Sequence, residues 1–128
     1  MKQQPIRILL VDDDALVREG VEAILGMEPT FVVVGSGGHT SGTMRQIEVT
    51  QPDIVLVDAY SWRGDSLASL SIIRTISPKS IICVLTDEIE EERLHLLYAL
   101  GVTACIAKGT RPADLILSLQ LLSPASFV

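Results

Sequence analysis

Five short apolar runs recur along the chain, each followed by a stretch with helical spacing, and this alternation constrains the fold more than any other feature. The runs are Ile6–Val11 (IRILLV), Phe31–Val34 (FVVV), Ile54–Val57 (IVLV), Ile81–Leu85 (IICVL) and Val102–Ala107 (VTACIA). Near-continuous apolar runs of this length are what strands buried on both faces look like. After the first run, Asp14 can cap a helix whose apolar positions Leu16, Val17, Val21, Ile24 and Leu25 keep the 3.6-residue spacing. His39–Thr50 reads as a weak helix, because Gly42 and several threonines lower its propensity. Leu67–Ile76 is a helix capped by Asp65 or Ser66 and stopped by Pro78. Glu88–Leu100 opens with acids that suit the positive end of a helix dipole and closes at Gly101. In Pro112–Leu122 the proline stands near the first turn, where its missing N–H costs nothing.

Five βα units with short connections predict an α/β fold: a doubly wound parallel sheet, (βα)5 and flavodoxin-like, with strand order 2-1-3-4-5. Residues 6–122 form the domain; residues 1–5 read as an N-terminal tail, and 123–128 as a C-terminal tail or the start of a linker. In such sheets ligands bind beyond the carboxyl ends of the strands, where strand order reverses. Here that place lies between the first and third strands.

Composition narrows the function. No apolar run approaches the ~20 residues of a membrane span, and MKQQPIRILLV runs into three aspartates rather than a signal-peptide cleavage site. A cytoplasmic protein without membrane contact is expected. The net charge is −6 and basic residues occur singly, so the chain by itself is not expected to bind nucleic acid. Cys83 and Cys105 lie in apolar runs without a C-x-x-C pair, and read as buried, reduced thiols.

The strand ends carry the chemistry. Asp12 and Asp13 follow the first strand, Asp58 the third, Thr86 and Asp87 the fourth, and Lys108 the fifth. Carboxylates gathered on one rim need a proton or a hard cation to settle them. Oxygen donors favour Mg²⁺ over zinc. A metal held by acids beside an ammonium and a hydroxyl is what a transferring phosphoryl group requires, with Asp58 as nucleophile forming an aspartyl-phosphate. Taken singly, Asp14 is a helix cap, Thr86 could cap the fourth helix, and Lys108 could be a solvated charge. GSGGHTSG (residues 35–42) lacks Gly-Lys-Ser/Thr and follows the second strand, so it reads as a flexible loop, with His39 and His95, lacking partners of ligand type, as surface histidines. A haloacid-dehalogenase-type phosphatase would want an Asp two residues after the nucleophile, where Tyr60 stands.

ILLVDDD, DIVLVD, ICVLTD and GVTACIAKG resemble, in order and spacing, the four signature blocks of the response-regulator receiver domain of two-component systems, most closely the NarL/FixJ type. The resemblance covers about residues 6 to 122. It implies a CheY-like fold and phosphorylation of Asp58 by a sensor histidine kinase. Asp12, Asp13 and Asp58 would hold Mg²⁺ with the backbone carbonyl of Tyr60. Thr86 and Lys108 would sense the phosphoryl group and draw neighbouring loops inward. The family relays signals rather than acting as a free-standing enzyme, and this type usually controls transcription through a DNA-binding domain, which nothing in this chain resembles. The chain departs from the pattern at Ser61-Trp62-Arg63 in place of Met-Pro-Gly, at Asp87 after the switch threonine, at Cys105 in place of an aromatic, and at Gly109 after the lysine. A receiver that acts as a phosphorylation-independent interaction module is the alternative.

On the last helix Leu115, Ile116, Leu119 and Leu122 make a core-facing stripe, while Leu117 and Leu121 lie on a flank. The flank reads either as a wide core stripe or as a surface for a homodimer or a partner.

Overall fold

A computed structural model describes residues 4–58, 64–87 and 90–122. Ten elements alternate along it: β1 (Ile6–Val11), α1 (Ala15–Gly26), β2 (Phe31–Gly37), α2 (Ser41–Thr50), β3 (Ile54–Asp58), α3 (Gly64–Ile76), β4 (Ile81–Thr86), α4 (Glu91–Ala99), β5 (Ala104–Ala107) and α5 (Pro112–Leu122). The strands form one parallel sheet in the order β2-β1-β3-β4-β5. This is the doubly wound order expected of short βα units.

The central strands are almost entirely apolar because each of their faces meets helices. Ile8, Leu10, Ile54, Leu56 and Cys83 point into one layer with Leu25 of α1 and Leu115 and Leu119 of α5. Leu9, Val11, Val55, Val57 and Val84 point into the other, with Ile47 of α2, Leu70 and Ile73 of α3 and Leu97 of α4. Cys105 packs on this second layer, so the two free thiols serve opposite faces of the sheet. Cys83 is buried as expected, whereas Cys105 is only half-buried, being on the edge strand.

Several elements depart from the sequence expectation for identifiable reasons. β2 continues through Gly35-Ser36-Gly37, so the first three residues of the stretch read as a flexible loop are strand. The glycines are small there because α2 lies close: a Cβ on Gly35 would stand 2.5 Å from Gln46 Oε1, and one on Gly37 would collide with the Thr43 hydroxyl. A register shift opposite Ile8 and Leu9 absorbs Val34. Thr40 caps α2, its Oγ1 accepting from Thr43 N at 3.2 Å, which starts the helix later than His39. α3 begins at Gly64, placing Asp65 and Ser66 inside the first turn rather than at the cap. α4 begins after Glu90, with Glu91 and Glu92 in its first turn. In α1, Leu16 is 77% exposed and Val17 is also exposed, so only the later part of the apolar pattern faces the core.

At the amino ends of the strands, basic side chains and hydroxyls stitch the loops together. Arg7 donates to the carbonyls of Gln51 (3.0 Å) and Thr50 (2.6 Å). Arg74 donates to those of Pro78 (2.7 Å), Ser80 (3.1 Å) and Gly101 (2.9 Å). Among the described residues no helix is long and apolar enough to cross a membrane.

Candidate functional site

The carboxyl ends of β1, β3, β4 and β5 bring Asp12, Asp58, Thr86 and Lys108 to one rim. Continuing the two-residue alternation past the end of β1 sends Asp12 to the side of Leu10, toward α1, and Asp13 to the opposite side, toward α2. The contacts follow that split. Asp12 and Asp58 line one small cavity with Leu10, Arg18, Val21 and Leu85. Asp13 is exposed, and its Oδ1 instead accepts the backbone N–H of His39 at 2.7 Å. Gly38 makes this approach possible, since a Cβ there would sit 2.5 Å from the same oxygen.

Asp12 is held on several sides. Its N–H donates to Gly37 O (2.8 Å), its Oδ1 accepts from Asp14 N (2.8 Å), and its carbonyl accepts from the Arg18 guanidinium (2.5 Å). Burial pushes its carboxyl up to about 6 from the ordinary 3.8. The Asp14 N–H and the Lys108 charge oppose this rise, and the charge of Asp58 adds to it. Asp58 ends β3, pairs with Leu85 of β4, and is only 6% exposed. Lys108 forms an ion pair with its Oδ1, an atom with no hydrogen bond among the described residues. Thr86 is the last residue of β4, fully buried, and its carbonyl accepts from Lys108 N at 3.1 Å. It therefore belongs to the rim of the sheet, and the cap position of α4 falls to Glu90.

Two carboxylates, Asp12 and Asp58, face one another across this rim with one ammonium beside them. The expected cluster of three is not gathered: among the described residues no group of three His, Cys, Asp or Glu side chains stands close enough to hold a metal. The reason is the alternation that turns Asp13 to His39. Tyr60, whose carbonyl was expected to complete a metal site, lies outside the described residues, as do Trp62 and Arg63. Even so, the donor chemistry suits a hard cation. The carboxylates of Asp12 and Asp58 are oxygen ligands sharing one small cavity, and burial, with the charge of Asp58 adding to it, raises the Asp12 carboxyl.

Two of the single-residue expectations divide. Asp14 caps α1, its Oδ1 accepting from Leu16 N (3.0 Å) and Val17 N (3.3 Å). His95 is exposed, with Glu91 at 4.0 Å. His39, by contrast, is not a free surface side chain. It is half-buried, with Nδ1 2.8 Å from Ser69 Oγ and Nε2 3.0 Å from the carbonyl of Asp58. Neither His39 nor Arg18 was given a role at the site from the sequence, and for His39 the reason is that its contacts lie on separate segments that no local pattern encodes.

The sequence matches the response regulator receiver domain family over residues 8–120. The chain is 32% identical over 123 residues to a Ycf55-like protein of Synechocystis, covering 94% of this chain and 22% of that protein. It is 31% identical over 111 residues to the transcriptional regulatory protein LiaR of Bacillus subtilis, covering 86% of this chain and 52% of LiaR. Its fold is similar to the crystal structure of a LuxR-family two-component response regulator from Aurantimonas. That match has a TM-score of 0.83 at 25% identity and covers 93% of this chain and 85% of the other. The chain thus spans about half of the regulator, and about a fifth of the Ycf55-like protein.

Proposed function

Because the chain belongs to the response regulator receiver domain family, we propose that Asp58 accepts a phosphoryl group from a sensor histidine kinase, and that the modified domain switches conformation to control an output. The observation that carries this reading is the placement of Asp58. It is a buried carboxylate at the end of β3, between a second acid, Asp12, and the ammonium of Lys108. A carboxylate so placed is poised to attack a phosphohistidine: the N–P bond of the donor breaks as the Asp58 O–P bond forms. Lys108, freed from the carboxylate charge, then meets a phosphoryl oxygen, and the Thr86 hydroxyl supplies a donor to another.

Asp12, Asp13 and Asp58, with the Tyr60 carbonyl, would hold Mg²⁺, which would neutralise charge on the transferring group. The output fitting the LiaR and LuxR-family relatives is transcription regulation through a DNA-binding domain, in the cytoplasm. Leu117 and Leu121 of α5 are 53% and 58% exposed, which supports self-association through that helix. A strictly monomeric chain at high concentration, by light scattering, overturns that part.

The test is a titration with Mg²⁺ and beryllofluoride, followed by the fluorescence of Trp62, the only tryptophan. A Mg²⁺-dependent change that Asp58→Asn abolishes is expected. A flat response from folded protein points instead to a phosphorylation-independent interaction module, and turnover of a free phosphomonoester to a phosphatase.

A further inference from the structure

We propose that His39 is a positioning residue for Asp58, bracing the phosphoacceptor and Asp13 from a single point. The inference rests on the reading of Asp58 given above and goes beyond it. His39 is joined to both acidic connections. Its backbone N–H donates to Asp13 Oδ1 at 2.7 Å, and its ring reaches the carbonyl of Asp58 at 3.0 Å. A carbonyl only accepts, so Nε2 carries the proton. In the neutral ring Nδ1 then accepts from the hydroxyl of Ser69, a buried residue of α3, at 2.8 Å. The ring thereby ties the connection after β2 to the end of β3 and to α3.

The place of this bond in the ladder gives it its role. The β1–β3 pairing ends at Val11 and Val57, one residue before the acceptor, while Asp58 keeps Leu85 of β4 as its partner. His39 thus supplies a hydrogen bond to the acceptor's backbone at the point where the sheet stops holding it on the β1 side. The segment carrying His39 is itself fixed, because Asp12 N donates to Gly37 O at 2.8 Å and Gly38 lies against Asp13. Displacing a reacting carboxylate by about 1 Å costs up to ~100-fold in rate. A residue that fixes its backbone therefore acts on the maximal rate more than on the affinity for a phosphoryl donor.

The experiment measures phosphoryl uptake from phosphoramidate with Mg²⁺ by the full chain and by His39→Ala, His39→Gln and Ser69→Ala. His39→Ala is expected to lower the maximal rate about tenfold with the donor half-saturation unchanged. His39→Gln should recover most of the loss, since its amide N–H can still donate to the carbonyl, and Ser69→Ala should fall between. Equal rates in His39→Ala and the unaltered chain, or no recovery by His39→Gln, overturn the proposal. Amide hydrogen exchange of the same proteins without donor separates this from the parent reading. Exchange at Val57 and Asp58 should quicken in His39→Ala and return in His39→Gln, with Ile8 and Ile82 unchanged. If the unaltered chain takes up no phosphoryl group, the Asp58 reading falls while the exchange pattern still decides for or against the brace.

Discussion

The two rims of the sheet are built from the same kinds of side chain and treat them oppositely. At the amino rim, cations and hydroxyls meet carbonyls. Arg7 and Arg74 each donate to more than one backbone oxygen, Arg7 N donates to Asp53 Oδ2 at 2.9 Å, and the Ser80 hydroxyl donates to Pro52 O at 2.6 Å. At the carboxyl rim, acids meet an acid, and Lys108 offsets only part of the charge. Groups paired in this way stabilise the fold, whereas unneutralised charge holds a site ready for something else to complete it. One end of each strand serves stability and the other serves chemistry.

The sharpest way to break that contrast is Asp58→Asn. It should abolish phosphoryl uptake and the beryllofluoride response entirely, as measured by intact mass and Trp62 fluorescence. Residual uptake would move the acceptor elsewhere on the rim. Arg74→Ala, at the opposite end, removes three charged hydrogen bonds and should cost about 2–3 kcal/mol in urea unfolding while the Mg²⁺ response persists. A loss of that response with the fold intact would mean the rims are not separable.

Protonation sharpens the comparison further. The Asp12 carboxyl is held near 6 in the folded chain against 3.8 ordinarily, so the folded state binds the extra proton between those values. Its contribution to stability is therefore present below pH 3.8 and lost as the pH rises through about 6. The loss should be about 1–3 kcal/mol. In metal-free buffer Asp12→Asn should flatten this part of the pH profile and stabilise the chain at pH 7. Mg²⁺ should stabilise the unaltered chain more at pH 7.5 than at pH 5, since the acids must be ionised to hold it. The smallest effect is expected from Ser80→Ala, about 1 kcal/mol by thermal denaturation with no change in Mg²⁺ binding.

Much of this organisation is legible in the sequence because the physics is local. IRILLV and IVLV announce doubly buried strands, Asp14 announces a cap, and Pro112 fixes the start of α5 to the residue. The acids at the strand ends were readable for the same reason, since a carboxylate ending an apolar run can only lie on a rim. What escaped depends on contacts between distant segments. Gly35 and Gly37 argue against a strand by propensity, and only the close approach of Gln46 and Thr43 explains them. His39 looks unpartnered until Ser69 and Asp58 are folded against it, at separations of 30 and 19 residues. The contact of Asp13 with the His39 N–H, 26 residues away, is hidden in the same way.

The placement of the two thiols has a practical consequence. Burial pushes Cys83 up to about 12 and raises Cys105 as well, so neither is a ready nucleophile at neutral pH while the chain is folded. Cys83 is enclosed in one apolar layer, so its modification by a thiol reagent has to wait for that layer to open, whereas Cys105 packs half-buried against the other. The rate at which Cys83 is modified, read by mass with and without Mg²⁺, therefore reports whether a signal at the acidic rim loosens the layer that holds it.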